Sequence, residues 1–324
     1  MKFPQRTATP SLRVAVLLAV AGCGAAAPSE TPVPGETLPA KPAPVESAPT
    51  HRLNAAPERS TTTPARFLIA AGDAALQTGN LDAARRHFEG ALSLTRDVSA
   101  AEGAPLREAF LAHDRLGSLA DRLGALEDAA DHYLRALDLQ QVAPEPAAPV
   151  AVRARLAGIR RRQGDRAAAE RELALARSAI AVDAAPATAA LVYRELGRLR
   201  LGGAPDDVAA GLSALAQACS LYERAGLPAA VAACRLERGK ALLSCGEARQ
   251  AIAECSRAHG LFAREEVKGH EHAGDVIAAL QALADGYEQL GDAATATSFR
   301  RRARERQAQL AATPAVRPPE PRRD

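Results

Sequence analysis

Tryptophan is absent from this chain of 324 residues, and aromatic side chains make up only 3% of it. With so few aromatic and β-branched residues a strand-rich fold lacks its usual material, because strands favour Ile, Thr, Tyr and Phe. A surplus of charge is missing too. Lys2, Arg6 and Arg13 precede Cys23 with no acidic residue among them, and without that leader 38 basic residues face 38 acidic ones. A near-neutral chain does not suit nucleic acid as a partner. Long apolar runs are missing: Val14 to Ala27 is shorter than the roughly 20 residues that cross a bilayer. Catalytic motifs are missing as well. Gly239-Lys240 is followed by Ala241 and lacks the upstream Gly of a phosphate loop; there is no Gly-x-Ser-x-Gly and no His-Glu-x-x-His. His270-Glu271-His272 reads as a solvated loop, and Cys255 with His259 has no second pair to complete a zinc site. The expectation is a protein that is not an enzyme, with no cofactor and no metal.

What is present begins with an address. Three positive charges in residues 1–13 are followed by the apolar run Val14-Ala15-Val16-Leu17-Leu18-Ala19-Val20-Ala21 and then by Gly22-Cys23. A positive start, a short apolar centre and small residues form a secretory signal. Val20-Ala21-Gly22-Cys23 resembles the lipobox of bacterial lipoproteins. That resemblance implies a signal peptide over 1–22 and lipid on Cys23, with several acyl chains giving the stable membrane anchor that one chain does not. Ordinary cleavage after Ala21 or Ala27 would instead leave a secreted protein. Gly24, where Asp would suggest inner-membrane retention, points to the outer membrane facing the periplasm. Residues 23–63 read as a Pro- and Ala-rich disordered tether, about 35 Å long on average if flexible and about 120 Å if fully extended. Residues 312–324 read as a disordered tail.

Between them, residues 64–311 repeat themselves. Gly79 and Gly124 are each preceded seven residues earlier by another Gly, Gly72 and Gly117. Each is followed by Ala after five residues, an aromatic after nine (Phe88, Tyr133) and Ala-Leu after twelve and thirteen. The frame returns at Gly164, with Ala169, Leu173 and Ala176; at Gly246, with Gly239, Ala251, Cys255 and Ala258; and at Gly291, with Ala284, Ala296 and Ala303. A further unit near Leu196-Gly197 carries a longer turn, Gly202-Gly203-Ala204-Pro205. This pattern resembles the tetratricopeptide repeat, whose two helices cross at small residues with one large side chain filling the gap. The 40–45-residue spacing resembles the extended repeats of kinesin light chains. The expected fold is all-α, a right-handed superhelical stack of about six helix-turn-helix units. In it the turn Gly ends the first helix, Asn80, Asp165 and Asp292 cap the second, and Pro105, Pro144, Pro146, Pro149, Pro186 and Pro228 mark the loops.

The resemblance carries a function with it, since the concave face of such stacks commonly binds a peptide. The register puts Arg161, Arg162, Arg194, Arg198 and Lys240 at the centre of that groove. Asp73, Asp114 and Asp121 fall toward one end, and Asp285 and Glu288 toward the other. A basic centre suits an acidic segment or a terminal carboxylate, although the Asn residues of the family's carboxylate clamp are missing. The alternative is that the arginines pair within the array. As exposed side chains they would each contribute roughly 0–1 kcal/mol to folding. The implied function is a protein-binding adaptor or scaffold of the cell envelope; the second reading is a self-associating or peptidoglycan-associated lipoprotein, with homo-oligomers. Four cysteines cluster late in the chain. Cys234 faces either Cys255 or Cys219 across a helical turn, or all of them stay reduced as small core residues. Cys234 and Cys245 are about 16 Å apart along one helix, too far to bridge.

Overall fold

The computed structural model describes residues 63–95, 103–140, 148–180, 185–267 and 272–312. The leader over 1–22, Cys23, the tether up to residue 62 and the tail from 313 onward lie outside the described residues, as do His270 and Glu271. The described residues form twelve α-helices and no strands. They are α1 (Pro64–Gln77), α2 (Leu81–Thr95), α3 (Gly103–Arg122), α4 (Leu126–Gln140), α5 (Ala148–Arg162) and α6 (Arg166–Ser178). After them come α7 (Pro186–Leu201), α8 (Pro205–Arg224), α9 (Pro228–Ser244), α10 (Ala248–Val267), α11 (Ala273–Gln289) and α12 (Ala293–Ala312). Odd and even helices pair as six successive hairpins, and each hairpin packs on the next.

Each hairpin is built from local signals. Gly79, Gly124, Gly164, Gly246 and Gly291 all have positive φ, between 73° and 84°. The residue after each glycine donates its N–H back to a carbonyl in the last turn, as Asn80 does to Ala75 at 2.9 Å, and this stops the first helix. The second helix then starts on a side-chain cap. Asn80 accepts from the Ala83 amide at 3.0 Å, Asp165 from Ala168 at 2.9 Å and Asp292 from Thr295 at 3.0 Å, as the sequence predicts. The prolines are placed differently from the expectation. Pro105, Pro149, Pro186 and Pro228 lie in the first turns of α3, α5, α7 and α9, where an N–H has no helical partner to lose; Pro144 and Pro146 lie outside the described residues.

The crossings explain the repeating small residues. A Cβ on Gly72 would lie 2.3 Å from the ring of Phe88, one on Gly117 2.7 Å from Tyr133, and one on Gly239 2.4 Å from the Cys255 sulfur. In the fourth hairpin the corresponding partner of Gly197 is Leu215, at 2.8 Å. That partner comes 18 residues on instead of the 16 of the other three, because the turn at Gly202–Ala204 is longer. Phe88 and Tyr133 are fully buried, each contributing roughly 2–3 kcal/mol by area. Apolar clusters run from one hairpin to the next through the stack. The last helix of the stack, α12, buries only Ala296 and Ala303 and leaves Arg301, Arg302 and Arg304 exposed. A polar outer face of this kind ends a repeat array.

Candidate protein-binding groove

The odd-numbered helices line a groove of about 1010 Å³ that runs across α3, α5, α7 and α9. All five residues predicted for its centre, Arg161, Arg162, Arg194, Arg198 and Lys240, are in its wall. They sit there because each lies on the late part of its helix, on the face that follows one hairpin to the next. Arg122 and Arg155 add two further cations, and Asp121, Glu195 and Glu237 are the carboxylates, so seven positive groups face three negative ones. Leu191, Leu201 and Val208 supply apolar floor, and Cys245 stands exposed at the edge.

The cations are not equivalent. A ladder of ion pairs runs along the odd helices from α1 to α9. Arg115 on α3 reaches Asp73 on α1 at 2.7 Å; Arg155 and Arg162 on α5 reach Asp114 and Asp121 on α3. Arg194 and Arg198 on α7 together clasp Glu237 on α9, their Nε atoms 3.1 Å and 2.9 Å from its oxygens. Arg198 also pairs with Glu195 on its own helix. Two guanidinium forks on one carboxylate make a strong, oriented contact. Burial works against the charged form of Arg194, but the Glu237 carboxylate outweighs it and raises the pKa; the same pair of arginines overcomes burial to hold Glu237 below the ordinary carboxylate range. The alternative of arginines that pair within the array thus applies to three of the five. Arg162, Arg194 and Arg198 are engaged inside the array, and at the ends Asp285 and Glu288 are taken up by Arg300 of α12.

The ladder has gaps. Arg161 comes no nearer than 3.9 Å to Glu195, and its Nε has no partner. Among the described residues no ion pair links α9 to α11, where Gln289 instead donates to the Leu243 carbonyl at 3.1 Å. Lys240 on α9 and Arg122 on α3 are exposed and, among the described residues, have no carboxylate within ion-pairing distance. These two stand toward opposite ends of the groove.

The cysteines separate cleanly. Cys255 fills the crossing with Gly239, in the cluster between α9, α10 and α11. Cys234 belongs to the cluster on the opposite side of α9, together with Cys219 of α8. The structure thus brings Cys234 to Cys219 and not to Cys255, and all four are thiols. One other pair has no signal in the repeat pattern. His113 on α3 and His132 on α4 bring their Nδ1 atoms to 3.0 Å. Burial first, and then the neighbouring His132, lower His113 to about 4. Among the described residues no three metal-ligating side chains converge, and no helix is long and apolar enough to cross a membrane.

The tetratricopeptide repeat family matches residues 65–98, the first hairpin and a few residues beyond it. BtubC (BKLC) from P. vanneervenii superposes with a TM-score of 0.54 at 18% identity, over 81% of this chain and 96% of that one. The fold is the tetratricopeptide-type helical superhelix. The Rap conjugation gene regulator of plasmid pLS20, solved with the Phr* peptide, gives a TM-score of 0.57 at 15% identity, over 81% of this chain and 67% of that one. Aspartyl phosphate phosphatase F from Bacillus subtilis gives 0.55 at 12% identity, over 75% and 59%. No curated protein compared with the chain matches it in sequence.

Proposed function

We propose that the protein is a non-catalytic adaptor of the bacterial cell envelope that binds an acidic segment of a partner protein in this groove. The observation that carries the reading is the surplus of four positive charges in the groove wall, on the face where helical superhelices of this type offer a concave surface. A cation already paired adds little attraction for a newcomer. The ligand is therefore received by Lys240, Arg161 and Arg122, while Arg194 and Arg198 hold the wall in shape through Glu237. That one fold neighbour was solved with a peptide is in keeping with this use of the architecture. The envelope placement rests on the leader and Val20-Ala21-Gly22-Cys23.

The choice of test follows from the pairing. Reversing Arg194 and Arg198 would set two new carboxylates against Glu195 and Glu237, and breaking a fork of this kind costs about 3 kcal/mol or more. Lost binding in that variant would only report lost structure. Lys240→Glu with Arg122→Glu removes the unpaired cations and should change stability by less than about 1 kcal/mol. Crosslinking from native membranes should recover a partner with the wild type and lose it with this variant. Capture should also weaken as salt rises. Full capture by a normally folded Lys240→Glu, Arg122→Glu variant would exclude the groove as the binding surface.

A further inference from the structure

Cys219 and Cys234 lie on consecutive helices of different hairpins, α8 and α9. The sequence midpoint between them falls between Gly226 and Leu227, in the turn that joins those helices. Antiparallel helices place residues equidistant from their turn side by side, so these two positions face one another. Both are buried, at 5% and 0% exposure, in one apolar cluster with Leu215, Ala218 and Tyr222. The Cys234 thiol donates to the Leu215 carbonyl oxygen at 3.3 Å. Cys255 is on the far side of α9, and Cys245 is exposed at its C-terminal end.

We infer that Cys219 and Cys234 are a disulfide-forming pair that, when oxidised, braces the junction between the fourth and fifth hairpins. The oxidant is a disulfide such as oxidised glutathione. The Cys219 sulfur loses its proton and attacks one glutathione sulfur, releasing one glutathione thiolate, which takes up that proton. Cys234 then gives up its proton and attacks the Cys219 sulfur of the mixed disulfide, releasing the second glutathione as a thiol. Two electrons pass to the oxidant, whose S–S bond becomes two thiols, and one S–S bond forms in the protein. Cys219 is the better first attacker. It is the less buried of the two, and the hydrogen bond from Cys234 outweighs burial and holds its pKa below the ordinary thiol value. The brace acts on the part of the stack that carries the Arg194–Glu237 clasp, since Glu237 lies on α9 about one turn beyond Cys234.

Full-length protein equilibrated in oxidised glutathione, alkylated and digested with trypsin decides the matter. The expected product joins peptide 201–224 to peptide 225–235, while Cys245 and Cys255 are recovered apart from them. Cys219→Ser, or Cys219→Ala where serine disturbs the fold, should abolish the joined species; Cys255→Ala should not. The oxidised form should melt roughly 6–12 °C above the reduced form, as closing a loop of about 15 residues in a chain of this size implies. Both thiols still free in oxidised glutathione, or Cys234 joined to Cys255 or Cys245, would overturn the pairing. An oxidised form that melts no higher than the reduced one would overturn the brace.

Discussion

Gly117→Ala and Gly260→Ala are the same change in helix interiors, yet the packing gives them opposite expected signs. A methyl on Gly117 of α3 would sit 2.7 Å from Cε1 and 2.8 Å from Cδ1 of Tyr133. That ring is 1% exposed, and its hydroxyl is held by Ser118 at 3.2 Å, so it has nowhere to withdraw. Forcing a methyl into a filled crossing costs about 1–3 kcal/mol. The gain in helix propensity offsets roughly 1 kcal/mol of it, leaving a net loss of up to about 2 kcal/mol. On Gly260 of α10 a methyl meets nothing within 4 Å, the site is exposed, and the propensity gain of roughly 0.8–1 kcal/mol stands alone. The two variants should differ by about 1–3 kcal/mol, a separation of roughly 2–12 °C in Tm followed by circular dichroism at 222 nm. Combining Gly117→Ala with Tyr133→Leu should cost less than the two single changes added together, because the residues touch. Two variants that raise Tm by the same amount would show that these contacts do not set the helix crossing.

The remaining predictions concern protons and lipid. With His113 lowered to about 4 in the fold, the unfolded chain binds more protons below its pKa of about 6.5. Stability should therefore decline as pH falls from about 6.5 to about 4 and then level off with respect to this group. The loss is roughly 1–2 kcal/mol once screening by the water that reaches the pair is allowed for. Denaturant melts of His113→Gln at pH 7 and pH 4.5 should lack most of that difference, whereas a pH dependence equal to that of the wild type would clear the histidine pair of responsibility. At the other end of the chain, labelled palmitate should enter the wild type in cells and not Cys23→Ser; equal labelling of both would remove the anchor from the proposed function.

The six-hairpin, all-helical architecture was legible in the residues themselves. The signals that build a hairpin act over a few positions: a glycine at positive φ, a capping Asn or Asp, a small residue at the crossing and a large one 16 positions later. They recur often enough to be read against one another. The groove-facing register was legible for the same reason, since each turn glycine numbers the helical positions before it, Arg161 three before Gly164 and Lys240 six before Gly246. What only the tertiary structure decided is which of these charges is already taken. Arg155 meets Asp114 across 41 residues and Arg194 meets Glu237 across 43, whereas Lys240 meets no carboxylate among the described residues. The choice of Cys219 over Cys255, and the meeting of His113 with His132, belong with them. A sequence period fixes where a side chain starts on its helix. Whether it finds a partner depends on the rotation between hairpins and on rotamers of long flexible side chains, and those are set by packing between helices distant along the chain.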